Sequence, residues 1–349
     1  MPMTRNQKIA AGTGGVLALA AGAFFLLGNK AGDLPGLGNI IDREPATCPL
    51  GGLEPKNEAL LERPAVAVKI ENASVAYPLS GLEEAEVVFE ELVEGGVTRF
   101  MAIYHCNDSD KAGPVRSARL VDPAIMRPYT RILVFSGANQ AVLNGLDEAG
   151  IVQIEENAGT TALERIAREG ISSEHTLYAH TAGARKLGKK GFGDPPAEDL
   201  FEFGELEPKG RKASTITIDF SGATTITYEF SDGGWLRSQA SAPFMAESGE
   251  QIAPTNVLIE EHEVNLSDTI TDVAGNPSVE VGDPTGSGRA VLFRDGRAIV
   301  GRWTRESEDD PVSFETKAGD RMMFAPGSIW IELVPSDSGE VKGSFSFEK

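Results

Sequence analysis

Cysteine and histidine are scarce in this chain of 349 residues, which has two cysteines and four histidines. Neither residue type shows the CxxC or HxxxH spacing that protein metal sites use. The sequence therefore predicts no metal site, and nothing in it indicates a bound cofactor. Serine hydrolase chemistry is not indicated either, because Ser136 in FSGAN follows a predicted strand without a GxSxG turn around it.

Positive charge is also in short supply. Lysine and arginine number 32 against 52 aspartates and glutamates, which gives a formal net charge of -20. A surface this acidic repels nucleic acid and anionic lipid, so we expect no nucleic-acid partner. Against this background, a local pair of arginines is a feature that needs an explanation.

The N-terminal region contains a long stretch without charge, IAAGTGGVLALAAGAFFLLG, at residues 9–28. About twenty apolar residues span a membrane as a helix, and Arg5 and Lys8 before them indicate a cytoplasmic N-terminus. The stretch predicts a single-pass anchor in the cell membrane, with residues 1–8 cytoplasmic and the body extracytoplasmic. A cleaved signal peptide is the alternative. Length and the lack of a clear A-x-A site favour the anchor, and no cysteine just after it could carry a lipid.

Composition divides the rest of the chain into segments. Residues 29–57 are rich in glycine, proline and polar residues, which predicts a flexible tether. Strands alternate with helices in residues 58–200, which predicts an α/β domain. Residues 201–213 are a charged linker, residues 214–337 an all-β domain of sandwich or barrel type, and residues 338–349 a tail. The predicted fold class is α+β overall, an α/β domain followed by an all-β domain.

Hydrophobic periodicity and turn residues locate individual elements. The first domain is predicted to contain strands at 65–70, 84–93, 98–105, 131–137 and 151–156 and helices at 123–127, 138–150, 162–170 and 180–191. Gly95 and Gly96 predict a tight hairpin, and RDGR at 294–297 predicts another in the second domain. Cys48 and Cys106 either form a disulfide or remain unpaired, since an extracytoplasmic location permits both.

The segment GPVRSAR, residues 113–119, carries two arginines directly behind a Gly-Pro bend. It follows a strand and precedes a helix, where α/β domains place their binding loops. Arginine forks bind carboxylate and phosphate oxygens bidentately, and a serine hydroxyl can add a further contact. Arg116, Ser117 and Arg119 are therefore candidate anion-binding residues. Alternatively, acids only brace the loop by occupying both arginines. The acids in question are Asp122, Glu90, Glu91 and Glu94.

Candidate catalytic residues come from two further places. In SSEHTLYAH, residues 172–180, His175 and Tyr178 lie three positions apart and have the chemistry of a general acid or base. A hydrogen-bonded structural histidine is the alternative. Glu90 is a further candidate base, but it neighbours Glu91 in a predicted strand. Adjacent strand residues point to opposite sides, so we expect one of the two glutamates to face a site and the other to face solvent.

Around GPVRSAR the chain resembles a family of bacterial extracytoplasmic proteins called DUF3048. RPAVAVKIEN, YPLSGLEEAEVVFEELVEGGVTRF, GPVRSAR and HTLY are similar to its N-terminal domain, and NVLIEE, RAVLFRDGRAIVGRW and GSIWIELVP to its C-terminal domain. The resemblance implies two fused domains outside the membrane and no established activity. The positions that match the family pattern are Glu90, Glu94, Gly95, Gly96, Thr98, Arg99, Gly113, Pro114, Arg116, Ser117, Arg119, His175 and Tyr178.

Three positions depart from the family pattern. Tyr77, Leu79 and Thr176 stand where the family has Arg, Gln and Asn, and the cysteine of a lipoprotein is missing. If these positions line the site, its ligand differs from that of other members.

The leading hypothesis from the sequence is a cell-envelope binding or regulatory module. Its pocket would be built by Arg99, Arg116 and Arg119, with His175 and Tyr178 nearby, and its partner would be an envelope component carrying phosphate or carboxylate. The second hypothesis is an enzyme acting on envelope polymers, a phosphotransferase or hydrolase in which His175 transfers protons and a glutamate is the base. The third is a structural scaffold for envelope proteins.

Overall fold

The computed structural model describes residues 46–156, 161–205, 210–272, 275–282 and 284–349. Within this range, Thr47–Lys349 forms one compact unit. The predicted anchor at 9–28 and the predicted cytoplasmic residues 1–8 lie outside the described residues. In the part of the chain that is described, no helix is long and apolar enough to cross a membrane.

The described residues are mostly β, with few helices. The three α-helices among them are α1 (Asp122–Met126), α2 (Gln140–Glu148) and α3 (Thr181–Gly188), and each confirms a predicted helix. Before α2, the Asn139 side chain accepts a hydrogen bond from the Val142 amide, which satisfies one of the free N–H groups of the first turn. Single-turn helices lie in the connections at Glu58–Leu60, Ser74–Ala76, Leu82–Glu84, Glu94–Gly96 and Ser173–His175.

The strands of the first half confirm the predicted ones and add a short antiparallel pair. They are β1 (Val66–Glu71), β2 (Val87–Leu92), β3 (Thr98–Tyr104), β4 (Ile132–Val134), β5 (Val152–Ile154), β6 (Leu163–Arg165) and β7 (Leu177–Ala179). Gly95 and Gly96 both have positive φ in the turn between β2 and β3, as the predicted hairpin requires.

The described part of the second half contains strands and no helix. Its strands are β8 (Glu202–Phe203), β9 (Arg211–Lys212), β10 (Thr215–Asp219), β11 (Thr225–Ser231), β12 (Gly234–Gln239), β13 (Ala242–Pro243), β14 (Asn256–His262), β15 (Val264–Thr271), β16 (Pro277–Val281), β17 (Gly286–Arg294), β18 (Arg297–Arg305), β19 (Ser313–Thr316), β20 (Met323–Phe324), β21 (Ile329–Pro335) and β22 (Ser344–Glu348). The predicted hairpin at RDGR is confirmed, because Asp295 and Gly296 connect β17 to β18 with positive φ.

One large sheet contains most of the longer strands. Its order is β19-β18-β17-β14-β21-β2-β3-β1-β4-β5, with β9 added beside β18. At its centre, β21 pairs in parallel with both β2 and β14. Because β2 and β21 have neighbours on both sides and packed layers on both faces, they are buried along their whole length. The two regions predicted as separate domains, 58–200 and 214–337, thus contribute strands to the same sheet.

A smaller sheet, in the order β13-β12-β11-β10-β22, packs on one face of the large sheet. In this core, the ring centres of Phe100 on β3 and Trp330 on β21 lie 5.4 Å apart, and those of Trp235 on β12 and Phe293 on β17 lie 5.8 Å apart. The segment predicted as a tail, 338–349, contains β22, which pairs with β10. Helices α1 and α2 cover the opposite face of the large sheet.

A buried ion pair joins the two sheets through the core. Arg237 of β12 donates from Nη2 to both carboxylate oxygens of Glu90 on β2, at 3.0 and 2.9 Å, and neither side chain is exposed. The guanidinium carbon lies 4.1 Å from the ring centre of Phe244. Next to Glu90 in the parallel register is Glu332 of β21, which accepts a hydrogen bond from the Tyr228 hydroxyl. Burial and the adjacent Glu90 raise the pKa of Glu332 well above its usual range, which favours a proton on Glu332.

The helix predicted at 162–170 is wrong. Its residues Leu163–Arg165 form β6, which pairs antiparallel with β7, and the Ile166 amide donates to the Thr176 carbonyl. Leu163, Ile166 and Ala167 have helical spacing, but only Ala162 and Leu163 of the segment are buried in the fold. Cross-strand hydrogen bonds to the buried β7 therefore outweigh the helical propensity of the segment.

Cys48 and Cys106 form a disulfide, which decides between the two alternatives that the sequence left open. The bond connects the segment before β1 to the chain just after β3, across a sequence separation of 58 residues. Cys48 is buried, and its amide donates to the Leu53 carbonyl in a tight turn. The end of the predicted tether is therefore attached to the folded body.

We expect the disulfide to make a large contribution to stability. Replacing both cysteines by serine releases a loop of 58 residues in the unfolded chain, and the chain-entropy relation for a loop of that size corresponds to about 4 kcal/mol of unfolding free energy. Urea denaturation measures the loss. The single variants Cys48→Ser and Cys106→Ser should each lose as much as the double variant, because each breaks the same bond. An unchanged unfolding midpoint in the double variant would contradict this expectation.

The raised pKa of Glu332 predicts a pH dependence that Glu332→Gln should remove. Glu332 holds its proton in the folded state and ionises near its ordinary pKa when unfolded, so stability is lost as pH rises above that ordinary value. The glutamine variant is neutral at every pH. Its advantage in unfolding free energy over the wild type should therefore grow from pH 5 to pH 8, by up to about 1.4 kcal/mol per pH unit.

Denaturant titrations at several pH values test this expectation. Glu229→Gln, at an exposed position of β11, is the control and should show no growing advantage. A difference between Glu332→Gln and the wild type that stays constant with pH would show that Glu332 ionises normally in the folded protein.

Candidate functional site

The segment 113–119 fills a gap between the carboxyl ends of β1 and β4. These parallel strands pair directly only through Ala67 with Leu133 and Val68 with Val134, so the pairing stops before β1 ends. Beyond that point the Arg116 amide donates to the Lys69 carbonyl at 2.9 Å, and the Ser136 amide donates to the Arg116 carbonyl at 2.9 Å. The segment thus bonds to the backbone of β1 and of the chain after β4, at the edge where α/β sheets commonly bind ligands.

Gly113 is required where the segment passes β7. Its φ is 150°, and a Cβ at this position would lie 2.9 Å from the Leu177 carbonyl oxygen. That separation is shorter than a side chain tolerates, so only glycine allows the segment to pass so close to β7. The Gly-Pro bend of the sequence therefore has a steric cause.

Arg119 is held by an acid of the neighbouring hairpin. Its Nε and Nη2 donate to Glu94 Oε2, at 2.9 Å for Nε, and the Glu94 side chain is only 6% exposed. The Arg119 amide also donates to Asp122 Oδ2 at the start of α1, at 2.7 Å. Arg119 is thus fixed through both its side chain and its backbone.

Arg116 shares its acidic partner with His175. The Arg116 Nε lies 3.2 Å from Glu71 Oε1, and His175 Nδ1 lies 2.6 Å from Glu71 Oε2. Glu71 is the last residue of β1 and is only 5% exposed on its side chain. A second nitrogen of the guanidinium, Nη1, donates to the Glu174 carbonyl at 3.2 Å. The residue Glu71, which the sequence argument did not single out, therefore organises both the arginine and the histidine.

Arg99 has no acidic partner among the carboxylates of the described residues. Its Nη1 donates to the Ser117 carbonyl at 3.2 Å, an oxygen that Arg119 Nη1 also approaches at 3.4 Å. In register, Arg99 lies between Glu71 of β1 and Glu91 of β2. Glu71 pairs with Arg116 and His175 instead, and Glu91 pairs with a lysine.

The three arginines form a group of like charges, which we call the arginine cluster: Arg99, Arg116 and Arg119. Burial and the two neighbouring arginines lower the pKa of Arg99 to about 10. Ser117 contributes its carbonyl to the cluster, while its hydroxyl donates to the Ser136 carbonyl at 3.1 Å. Among the described residues, Arg116 and Arg119 each form an ion pair with an acid, and Arg99 forms none.

A buried ionic triad of Lys69, Glu91 and Asp122 supports the loop that carries the arginine cluster. Lys69 of β1 forms ion pairs with Asp122 Oδ1, at 2.6 Å, and with Glu91 of β2. Burial raises the pKa of Glu91 to about 7, although Lys69 acts in the opposite direction. Because Asp122 also accepts a hydrogen bond from the Arg119 amide, the triad connects the sheet directly to the loop that carries the arginines.

Two of the predicted site residues do not join the cluster. Glu90 lies on the opposite face of β2, where it pairs with Arg237. The prediction that one of Glu90 and Glu91 faces solvent is wrong, because the large sheet has packed layers on both faces and buries both. Tyr178 is buried away from the cluster. Its hydroxyl accepts a hydrogen bond of 3.4 Å from Arg168 Nη1, and Lys111 Nζ lies 4.6 Å from the centre of its ring.

The structure thus brings together Arg99, Arg116, Ser117, Arg119 and His175. It adds Glu71 and Glu174, two contacts that sequence reasoning missed. Glu71 had a signal in the sequence, since it directly follows the first predicted strand at 65–70, and Glu174 directly precedes the histidine. Among the described residues, no group of histidine, cysteine and acidic side chains is arranged to hold a metal ion.

Comparison with known proteins gives consistent results for both halves of the chain. Residues 50–192 match the model of the N-terminal domain of DUF3048, a protein family of unknown function, and residues 216–331 match the model of its C-terminal domain. The chain is 26% identical over 299 residues to a protein of Bacillus subtilis (strain 168) called "Putative lipoprotein YerB", with 82% of this chain and 86% of that protein aligned.

A crystal structure of YerB from Bacillus subtilis has a similar fold. The TM-score is 0.69 at 24% sequence identity, and the match covers 86% of this chain and 99% of the YerB chain. This likeness concerns the fold, in which the strands of both matched regions take part. Matching family models over both halves, together with the relative of similar length, show that this chain belongs to the DUF3048 family.

Proposed function

We propose that this protein is a membrane-anchored, extracytoplasmic binding module that holds an anionic group of a cell-envelope component at the arginine cluster. Three observations support the location. Residues 9–28 are free of charge and follow Arg5 and Lys8. The Cys48–Cys106 disulfide is of a kind that persists in oxidising compartments. The relative in Bacillus subtilis is named a putative lipoprotein.

The observation that carries the binding function is the unpaired charge of Arg99. Arg99 is partly buried and no carboxylate of the described residues contacts it directly, so an incoming carboxylate or phosphate would supply a direct ion-pair partner. Arginine in a rigid loop also loses little freedom when it binds a planar anion. Binding is favoured over catalysis because Glu90 and Glu91, the acids expected to serve as a base, are buried in ion pairs.

The membrane anchor predicts the behaviour of the full chain in cells. With residues 9–28 intact, the protein should sediment with membranes, resist extraction by alkaline carbonate and keep its N-terminus. A variant lacking residues 1–28 should remain in the soluble fraction, since it lacks the only long apolar stretch before residue 46. Cell fractionation and the mass of the mature protein test this. A mature chain that is shortened and released from membranes would favour the cleaved signal peptide.

Anion binding should depend on Arg99. We expect inorganic phosphate or acetate to bind the purified protein, and Arg99→Ala to weaken binding by tenfold or more, since a charge-assisted pair contributes about 1.5–3 kcal/mol. Arg99→Lys should bind with intermediate affinity because it keeps the charge and loses the fork. Isothermal titration calorimetry at constant ionic strength measures the affinities.

The control for this experiment is Arg302→Ala, which removes an exposed arginine of β18 that is paired with Glu315. It should leave anion affinity unchanged. Arg99→Ala should also keep its melting temperature, because it breaks no ion pair of the described structure. Equal affinity of Arg99→Ala and the wild type for both anions would show that Arg99 is not the binding residue.

A further inference from the structure

Residue Glu174 contacts Arg116 of the arginine cluster and also the neighbouring His175. Its carboxylate Oε1 lies 3.3 Å from His175 Nε2, and its carbonyl oxygen accepts the hydrogen bond from Arg116 Nη1 at 3.2 Å. On the other side of the imidazole ring, Glu71 Oε2 lies 2.6 Å from His175 Nδ1. Glu71 therefore fixes the ring so that Nε2 is presented to the Glu174 carboxylate.

Of the acids that contact Arg116, Arg119 or His175 in the described structure, only Glu174 is exposed. Its side chain is 62% exposed, against 5% for Glu71 and 6% for Glu94. The hydroxyl of Ser172 also donates to Glu174 Oε1, at 3.3 Å. An exposed pair of this kind contributes up to roughly a factor of five to an equilibrium constant, whereas separating Glu71 or Glu94 would leave a buried charge without its partner.

We propose that the Glu174 carboxylate occupies the position of the ligand, so that the bound anion displaces it and takes over the ion-pair contact with His175 Nε2. This inference rests on the proposed function and assigns His175 as a ligand-binding residue of the same site. Glu174 then acts as an internal competitor, which weakens the binding of every anion that uses this position. Only the exposed Glu174 side chain has to move for this exchange, and the hydrogen bond from Arg116 Nη1 to the Glu174 carbonyl remains.

The charges of the site indicate which class of anion fits. Glu71 pairs with Arg116 and His175, and Glu94 pairs with Arg119, so Arg99 is the arginine without a directly paired carboxylate among the described residues. The displaced group is a carboxylate with one negative charge. The ligand group is therefore a singly charged oxyanion, and both a carboxylate and a phosphodiester have this chemistry. A doubly charged phosphate monoester would meet an additional repulsion from the two retained acids.

The test compares Glu174→Gln with a matched control. Glu164 is also 62% exposed and lies 3.3 Å from a histidine, His180 Nε2, at a site without the arginines. We expect Glu174→Gln to lower the dissociation constants of acetate and dimethyl phosphate by about two- to fivefold, the range of an exposed ion pair. Glu164→Gln removes the same charge from the protein and should leave both constants unchanged.

A double-mutant cycle with His175→Asn tests the shared contact. Glu174→Gln should no longer raise affinity when His175 is absent, because both the competitor and the ligand act through Nε2. Titrations use the full chain in detergent, with acetate and dimethyl phosphate as separate probes. The probe that gains more from Glu174→Gln identifies whether the natural group is a carboxylate or a phosphodiester.

Three results would overturn the inference. Unchanged affinity in Glu174→Gln, while Arg99→Ala abolishes binding, would reject the role of Glu174 and leave the arginine cluster as the binding site. An equal gain in Glu164→Gln would show an effect of overall charge. If neither probe binds the wild type or Glu174→Gln, the inference and the proposed function fail together.

Discussion

The ion pair between Glu90 and Arg237 is the contact on which the arrangement of the two sheets depends. Each residue is completely buried, and each belongs to a different sheet. Removing either partner would leave a charge in the core without compensation, which typically costs about 3–5 kcal/mol. Aromatic rings around the guanidinium exclude water, and the raised pKa of Glu332 favours a neutral carboxyl beside Glu90, which limits the number of buried charges. Buried polar contacts within an apolar core, Glu90 with Arg237 and Glu332 with Tyr228, therefore specify how the smaller sheet packs.

Strand alternation separates this structural contact from the candidate site. Glu90 points toward the smaller sheet, and Glu91, the next residue, points toward the opposite face and pairs with Lys69. Arg99 is opposite Glu91 in the register and so lies on that same face. Strand β2 thus serves both purposes. Glu90 connects the two sheets, and Glu91, through Lys69 and Asp122, supports the loop at 113–119.

The candidate site itself results from a gap in strand pairing. Because the pairing of β1 with β4 stops at Val68, before β1 ends, the inserted segment can bond to β1 and to the chain after β4 and still present its arginines at the sheet edge. Acids neutralise Arg116 and Arg119 but not Arg99, since the glutamates on either side of Arg99 have stronger partners. The question that the sequence raised, whether acids only brace the arginines, therefore has a different answer for each arginine.

Local signals in the sequence were sufficient for most elements. The strands of β1 to β4, helices α2 and α3 and the hairpin at RDGR follow from periodicity and turn residues, because these properties depend on neighbours in the chain. The helix expected at 162–170 failed for the opposite reason, since its state depends on pairing with β7, which follows later in the sequence. The same limit applies to Tyr178, whose spacing from His175 did not show that it packs beside Lys111.

The sequence by itself determined the family, the acidic character of the chain, the mostly β second half and the identity of the loop that carries the arginines. Only the tertiary structure decided that strands from both halves share one sheet, that Cys48 bonds to Cys106, and which acid pairs with which arginine. These facts depend on contacts between residues far apart in the chain. A single sequence specifies which charges are present, whereas the distance between charges, and so the unpaired state of Arg99, arises only when the strands are brought into register.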